Sequence, residues 1–245
     1  MRLAKLLISK INQVPHETYA EPFVGMGGVF LRRNLKPECE IINDISTDVA
    51  NFFRILRHHY VAFMEMLRFQ ICSRDDWNRL MKMDPNVLTD LQRAARFLYL
   101  QKIAFGGKVM GRNFAAPAGR GGRFDVTKLG PMLGELHERL ARVTIERLNW
   151  EDFILKYDKP GTLFYLDPPY FGNEDDYGYD VFGPDQFELM ADMLGNIKGR
   201  FILSINDRPD VRQIFRGFKI EQVDVAYGLG SIETGKKFSE LIISN

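Results

Sequence analysis

"YAEPFVGMGGVFLRRNL", Tyr19 to Leu35, decides how this chain is read. A short apolar run breaks on Gly25, Gly27 and Gly28, and apolar residues then return at a spacing suited to a helix. A second apolar run, "EIINDI" at Glu40 to Ile45, follows at once. Strand, glycine turn, helix and strand make the beginning of a βαβ unit, and units of that kind build parallel sheets.

Outward from this start the pattern changes twice. From Ser46 to about Arg142 the periodicity is helical, in "STDVANFFRILRHHYVAFMEMLRF", "SRDDWNRLMKM", "LTDLQRAARFLYLQKIAF" and "LGPMLGELHERLARV", separated by turn signals. From Thr144 strand-like runs return: "VTIERL", "TLFYL", "RFILSI", "KIEQVDVAYGL" and "KFSELIISN", with helical "PDQFELMADMLGNI" and "RPDVRQIFRGF" between them. The chain is predicted to be α/β, a Rossmann-like sheet formed by residues 1–50 and 143–245 and interrupted by a mostly helical insertion at 51–142.

Composition bounds the function. With 245 residues, 45% of them hydrophobic, the chain can bury a full core, and no run has the length of a membrane span or the apolar core of a secretory signal. A soluble cytoplasmic protein without membrane contact is expected. Cys39 and Cys72 show no metal-type spacing, His58 and His59 have no recurring partner ligand, and both thiols read as ordinary and partly buried, so no metal site is expected. A formal net charge of +1 supplies no global field for nucleic acid, so an anionic partner must be held by a local patch.

Sheets of this class bind ligands at the carboxyl ends of their strands. At the first strand end the glycines allow a tight turn and a close approach of backbone to ligand, before a helix whose N-terminus offers free N–H groups. Asp44 stands 19 residues beyond Gly25, and an acid about 20 residues after such a turn suits ribose hydroxyls. A dinucleotide fingerprint asks for a small residue at position 30, where Phe30 stands; this favours a nucleoside over a pyrophosphate.

A third strand end is "FYLDPPY", Phe164 to Tyr170. Pro168 and Pro169 fix φ and lack an N–H, and Asp167 is held extended by the proline after it. A rigid carbonyl at Pro168 beside the Asp167 carboxylate, with an aromatic ring at Tyr170, suits a planar group bearing an amine. Two hydrogen bonds accepted from the amine of adenine would free its lone pair, and the carboxylate would stabilise the positive charge that develops. Tyr170 would stack on the base. A plain proline turn closing a strand is the competing reading.

"AEPFVGMGGVF", "INDIS", "NWEDFI", "YLDPPY" and "FSELIISN", in this order, resemble the DNA adenine-N6 methyltransferase family over nearly the whole chain. The resemblance implies an S-adenosylmethionine-dependent methyltransferase sheet and a methyl transfer to the N6 amine of a flipped-out adenine in duplex DNA. It places Glu21, Phe23, Gly25, Gly27, Asp44, Ile45, Asp152, Phe153 and Asp167 around S-adenosylmethionine, with Asp152 and Phe153 holding its adenine. Asp167, Pro168, Pro169 and Tyr170 take the catalytic positions. From the residues alone, Asp152 reads as a helix cap.

The insertion occupies the place of this family's target-recognition region. Its segment "GGKVMGRNFAAPAGRGGRF", 106–124, carries Lys108, Arg112, Arg120 and Arg123 with six glycines and no acid. Such a segment can track phosphates, with Arg112 or Asn113 reading base edges, or it is a solvated glycine loop. Arg93 and Arg96 suit either backbone phosphate or a solvated face. "FGNEDDYGYD", 171–180, reads as a mobile cover on the substrate side.

Cytosine-N4 methylation is the nearest alternative, because it uses the same amine chemistry; a DNA-binding protein that keeps the fold with little turnover is another. RNA or protein glutamine suits the insertion less well. Cytosine-C5 chemistry needs a cysteine after a proline, whereas Cys39 follows Glu38 and Cys72 follows Ile71. Family members carry an aromatic-Gly-Gly-Lys segment ahead of the first helix. This chain opens "MRLAKLLISKI" inside that helix, so an intact fold with weak cofactor binding is expected of it.

Overall fold

The computed structural model describes residues 2–104, 114, 122–172, 182–226 and 237–245. In chain order the elements are α1 (Arg2–Gln13), β1 (Thr18–Glu21), β2 (Cys39–Asn43), α2 (Thr47–His58), α3 (Tyr60–Leu67), α4 (Arg74–Lys82), α5 (Asp90–Ile103), α6 (Val126–Arg139), β3 (Val143–Glu146), α7 (Trp150–Tyr157), β4 (Thr162–Leu166), α8 (Asp185–Leu194), β5 (Arg200–Asn206), α9 (Pro209–Ile214), β6 (Lys219–Ala226) and β7 (Lys237–Ser244). The chain divides into two compact units, Met1–Ile45 with Leu148–Asn245, and Ser46–Arg147. The divisions fall at the end of β2 and just before α7.

The glycine turn departs from expectation. No α-helix follows it, only a single 3-10 turn at Phe30–Arg32. Gly25 and Gly27 hold positive φ of 50° and 70°, which keeps the chain out of helical backbone through the turn. By Arg33 the chain is already extended, at φ −77° and ψ 129°, and Pro37 bars the residue before it from helical backbone. Too little chain remains for a second turn, so the expected helix N-terminus does not exist here.

Among the described residues six strands belong to the first unit, in the order β2-β1-β4-β5-β7-β6. β1 has parallel neighbours on both sides, with Ala20 opposite Ile41 of β2 and opposite Phe164 of β4. β4 pairs β5 in parallel, and β7 runs antiparallel between β5 and β6. Strand order therefore reverses between β1 and β4, and a reversal of this kind opens a crevice at the carboxyl ends of the two strands. The "EPFVGMGG" turn leaves β1 there, and the Asp-Pro-Pro-Tyr turn leaves β4 beside it.

Alternation along the strands gives the sheet two different faces. One face buries Phe164, Leu166, Leu203, Ile205 and Leu241 in a continuous core with Trp150 and Phe153 of α7 and Phe187 of α8. The other carries buried polar side chains, Glu21, Ser204 and Glu240, with Tyr19 and Tyr165. On that second face Lys10 of α1 reaches Glu221 of β6 at 2.6 Å.

Among its described residues the second unit is helical apart from β3 and a β-bridge between Ala104 and Phe114. Ser46, Ser73 and Thr89 cap α2, α4 and α5, the last in a full capping box with Gln92. Phe52 is the centre of its core, with its ring against those of Phe53, Phe63 and Phe97. A cleft of about 370 Å³ runs along α2 past Asn51, Arg54, Arg57 and His58. Cys39 is exposed at the start of β2, rather than partly buried as expected. Among the described residues no helix is long and apolar enough to cross a membrane.

Candidate active site

The turn after β1 is tied to the end of β2. Gly25 N donates to Asp44 Oδ2 at 2.9 Å, and Val24 N donates to Asn43 O at 2.9 Å. Fully buried Asn43 adds a second tie: its Nδ2 donates to Pro22 O and Leu148 O, and its Oδ1 accepts from Leu148 N at 2.7 Å. One side chain thus joins the carboxyl ends of β1 and β2 to the chain entering α7. A Cβ built on Gly25 would meet nothing within 4 Å: the turn faces open space. Ile45 beside it is 47% exposed, and half-buried Phe23 packs edge-on against Phe182.

Glu21 ends β1 and is buried, accepting from Tyr19 Oη at 2.7 Å. Burial, with Asp167 and Asp44 nearby, pushes its carboxyl up to about 8 against the opposing pull of the Tyr19 hydrogen bond. At neutral pH it holds its proton.

Buried Pro168 and Pro169 carry the chain away from β4, and Asp167 before them is open to solvent on one side. Ser204 Oγ donates to Asp167 Oδ1 at 3.0 Å and lies 2.8 Å from Tyr165 Oη. A serine has one proton to give, so with Asp167 ionised the chain of donors runs from Tyr165 to Ser204 to Asp167. Burial and the neighbouring Asp167 raise the Tyr165 phenol well above its usual range, which keeps it a donor. Surrounding protein and the negative Glu240 lift Asp167 itself to about 6, against the Ser204 bond that favours its charge.

The far side of the turn is held as firmly. Asn206 accepts from Phe171 N at 2.9 Å and donates to Phe171 O at 3.0 Å. Tyr170 Oη donates to Glu240 Oε1 at 2.6 Å. Ser204 and Asn206 alternate on β5, and Glu240 of β7 lies directly opposite Asn206. Three side chains on one sheet face therefore cradle residues 167–171. Sequence reading missed all three, together with Asn43. Their signal was polar residues at period two in "LSIN" and a lone acid inside apolar "SELII".

The D12 class N6 adenine-specific DNA methyltransferase family matches residues 2–229. The chain belongs to that family. A type II methyltransferase of Lactococcus lactis subsp. cremoris, M1.LlaDCHI, is 24% identical over 93% of this chain and 86% of its own. The DNA adenine methylase of Haemophilus influenzae is 26% identical over 91% of this chain and 82% of its own. M.CviBI, a type II methyltransferase of Paramecium bursaria Chlorella virus NC1A, is 22% identical over 82% and 77%. The protein is thus an adenine-specific DNA methyltransferase with a mostly parallel α/β sheet, and cytosine-N4 chemistry is not favoured.

In this methyltransferase the predicted residues are not equally placed. Asp152 lies exposed in the first turn of α7. Phe153, expected to hold the cofactor's adenine, has its ring fully buried in the core and tilted against Tyr157 at 5.0 Å; helical spacing turns that ring inward where Asp152 turns out. Lys108, Arg112, Asn113 and Arg120 lie outside the described residues, as does 173–180 of the expected cover. Arg123 donates to Ala104 O at 3.1 Å, joining the two ends of the basic segment. Between them, Phe114 pairs in a β-bridge with Ala104, and its ring meets Trp77 edge-on at 5.9 Å. Arg93 is bound to Asp48 at 2.6 Å and Arg96 to Leu80 O at 2.7 Å, so both brace the helical unit. Among the described residues no group of His, Cys, Asp or Glu is placed to hold a metal ion.

Proposed function

We propose that the turns after β1 and β2 hold S-adenosylmethionine and that the turn after β4 receives an adenine flipped out of duplex DNA. The reading is carried by the adjacency of β1 and β4 at the reversal of strand order, which brings the glycine turn and Asp167 to one crevice. The residues suit the cofactor. The turn at Gly25 leaves room against backbone, Asp44 is an acceptor for hydroxyls, and Ile45 and Phe23 offer apolar faces to a purine. Asp152 is exposed for the purine's amine. Bound, S-adenosylmethionine supplies an electrophilic methyl group on a cationic sulfur.

The chain's own residues do the rest. Asp167 and the Pro168 carbonyl accept from the two N–H groups of the target amine, drawing its lone pair out of the ring system and toward the methyl group. Tyr170 stacks on the base, which offsets part of the few kcal/mol, roughly, lost in flipping it out. Ser204 engages Oδ1 of Asp167, leaving Oδ2 for the amine and then for the proton it sheds. The helical unit reads the target: Lys108, Arg112 and Arg120 track phosphates, Arg112 or Asn113 meets base edges, and Arg123 closes the base of their segment.

Labelled methyl transfer to a library of duplexes, with products mapped base by base, tests this. The expected product is N6-methyladenine at a defined sequence. Asp167→Ala is expected to slow single-turnover transfer by at least about 100-fold with cofactor affinity changed only a few-fold, because its bonds strengthen in the transition state. An Asp167→Ala enzyme transferring at the parental rate removes Asp167 from the chemistry.

A further inference from the structure

Residues 167–171 need more than prolines to serve as a platform. Proline fixes φ in the turn but leaves a tyrosine after it free to swing about its own side-chain bonds. Asn206 removes the backbone part of that freedom by binding both N–H and C=O of Phe171. The backbone fixes one end of the ring. Its other end is the hydroxyl, and the hydroxyl lies 2.6 Å from Oε1 of Glu240.

Glu240 is only 2% exposed, on the strand that pairs with β5. Placing a carboxylate there is unfavourable in two respects: it is out of water, and it raises the proton affinity of Asp167. A leucine at this point would continue the apolar run "LIIS" and pack a buried strand without either cost. The position is therefore poorly explained by packing and well explained by the group it holds. We propose that Glu240 is a positioning residue for methyl transfer: accepting the Tyr170 hydroxyl, it fixes the plane of the ring on which the target adenine rests. This rests on the reading of Tyr170 as the stacking residue.

The cross-strand pair Asn206 and Glu240 then acts as one clamp, each holding one of two consecutive residues of the turn. A ring free to tilt lets the base, and so its amine, drift relative to the methyl donor. A displacement of about 1 Å in such a geometry costs on the order of 100-fold in rate.

The test uses the full chain, single-turnover transfer to a duplex bearing the mapped target sequence, and calorimetric S-adenosylmethionine binding. Glu240→Leu is expected to slow transfer by about 100-fold, with cofactor and duplex affinities within roughly three-fold. Glu240→Gln keeps an acceptor and is expected to recover most of that loss, which a role in charge alone would not allow. Tyr170→Phe removes only the hydroxyl and is expected to match Glu240→Leu, and it serves on its own should the leucine variant fail to fold. The double variant is expected to be no slower than the slower single one, since both break the same hydrogen bond. Parental rates in Glu240→Leu and Tyr170→Phe, or losses that multiply in the double variant, overturn the proposal while leaving the functional reading intact. A parent enzyme that forms no N6-methyladenine overturns both.

Discussion

Two acids at the strand ends are held above the usual carboxylate range, Glu21 by burial near Asp167 and Asp44, and Asp167, open on one side, by the protein around it and by Glu240. The folded state binds their protons more tightly than the unfolded chain does. Each therefore lowers stability as pH rises from its unfolded value toward its folded one, and the cost is absent at lower pH. For Glu21 the window ends at about 8. Glu21→Gln keeps an acceptor for Tyr19 and has no proton to lose. Its stability relative to the parent is expected to improve between pH 5 and 8 by up to about 1.4 kcal/mol per pH unit, the value for one proton. Denaturant melts across that range check it, and a constant difference between the two proteins shows that Glu21 does not hold its proton when folded. None of this was legible from the letters "AEPF". The acid could be read as part of a cofactor turn, but its burial beside Tyr19 depends on which sheet face the residue takes.

At the scale of elements, strands were legible where apolar runs stopped at turn residues, as in β4, whose five residues are all buried. The helix expected after Gly28 was not, because a short apolar stretch between glycines and a proline fits one turn as well as three. The antiparallel insertion of β7 between β5 and β6 also escaped reading, since periodicity carries no direction. Yet that insertion brings Glu240 to the site. The start of β5 has its own constraint at Gly199, where a Cβ would stand 2.6 Å from the Thr162 carbonyl of β4. Backbone cannot yield as a flexible side chain can. Gly199→Ala is expected to destabilise the first unit by about 1–3 kcal/mol, read as a lower denaturant midpoint with an unchanged slope; an unaltered midpoint shows that the strand pair has slack.

Across the whole molecule, charge is nearly balanced, with 33 basic and 32 acidic residues, so duplex binding has to come from a local concentration of arginine and lysine. Two arginines that looked available in the sequence are engaged within the helical unit, Arg93 with Asp48 and Arg96 with a carbonyl. The segment between Ala104 and Arg123, with four basic residues and no acid from 106 to 124, is the basic stretch to test. Neutralising Lys108, Arg112 and Arg120 together is expected to weaken duplex binding and to flatten its log–log salt dependence by about 0.9 for each phosphate that the variant no longer neutralises, with cofactor affinity unchanged. A salt slope equal to the parent's removes the segment from the interface.

The excursion from Ser46 to Arg147 leaves the sheet-bearing unit and returns to it through a neck that Asn43 ties to Leu148 with bonds in both directions. A chain pinched shut where its detour begins and ends makes the detour exchangeable. Loop-closure entropy grows only slowly with length, so that stretch can be lengthened, shortened or rewritten at little cost to the sheet-bearing unit, and if it reads the target as proposed, a change there alters the target and leaves the chemistry in place.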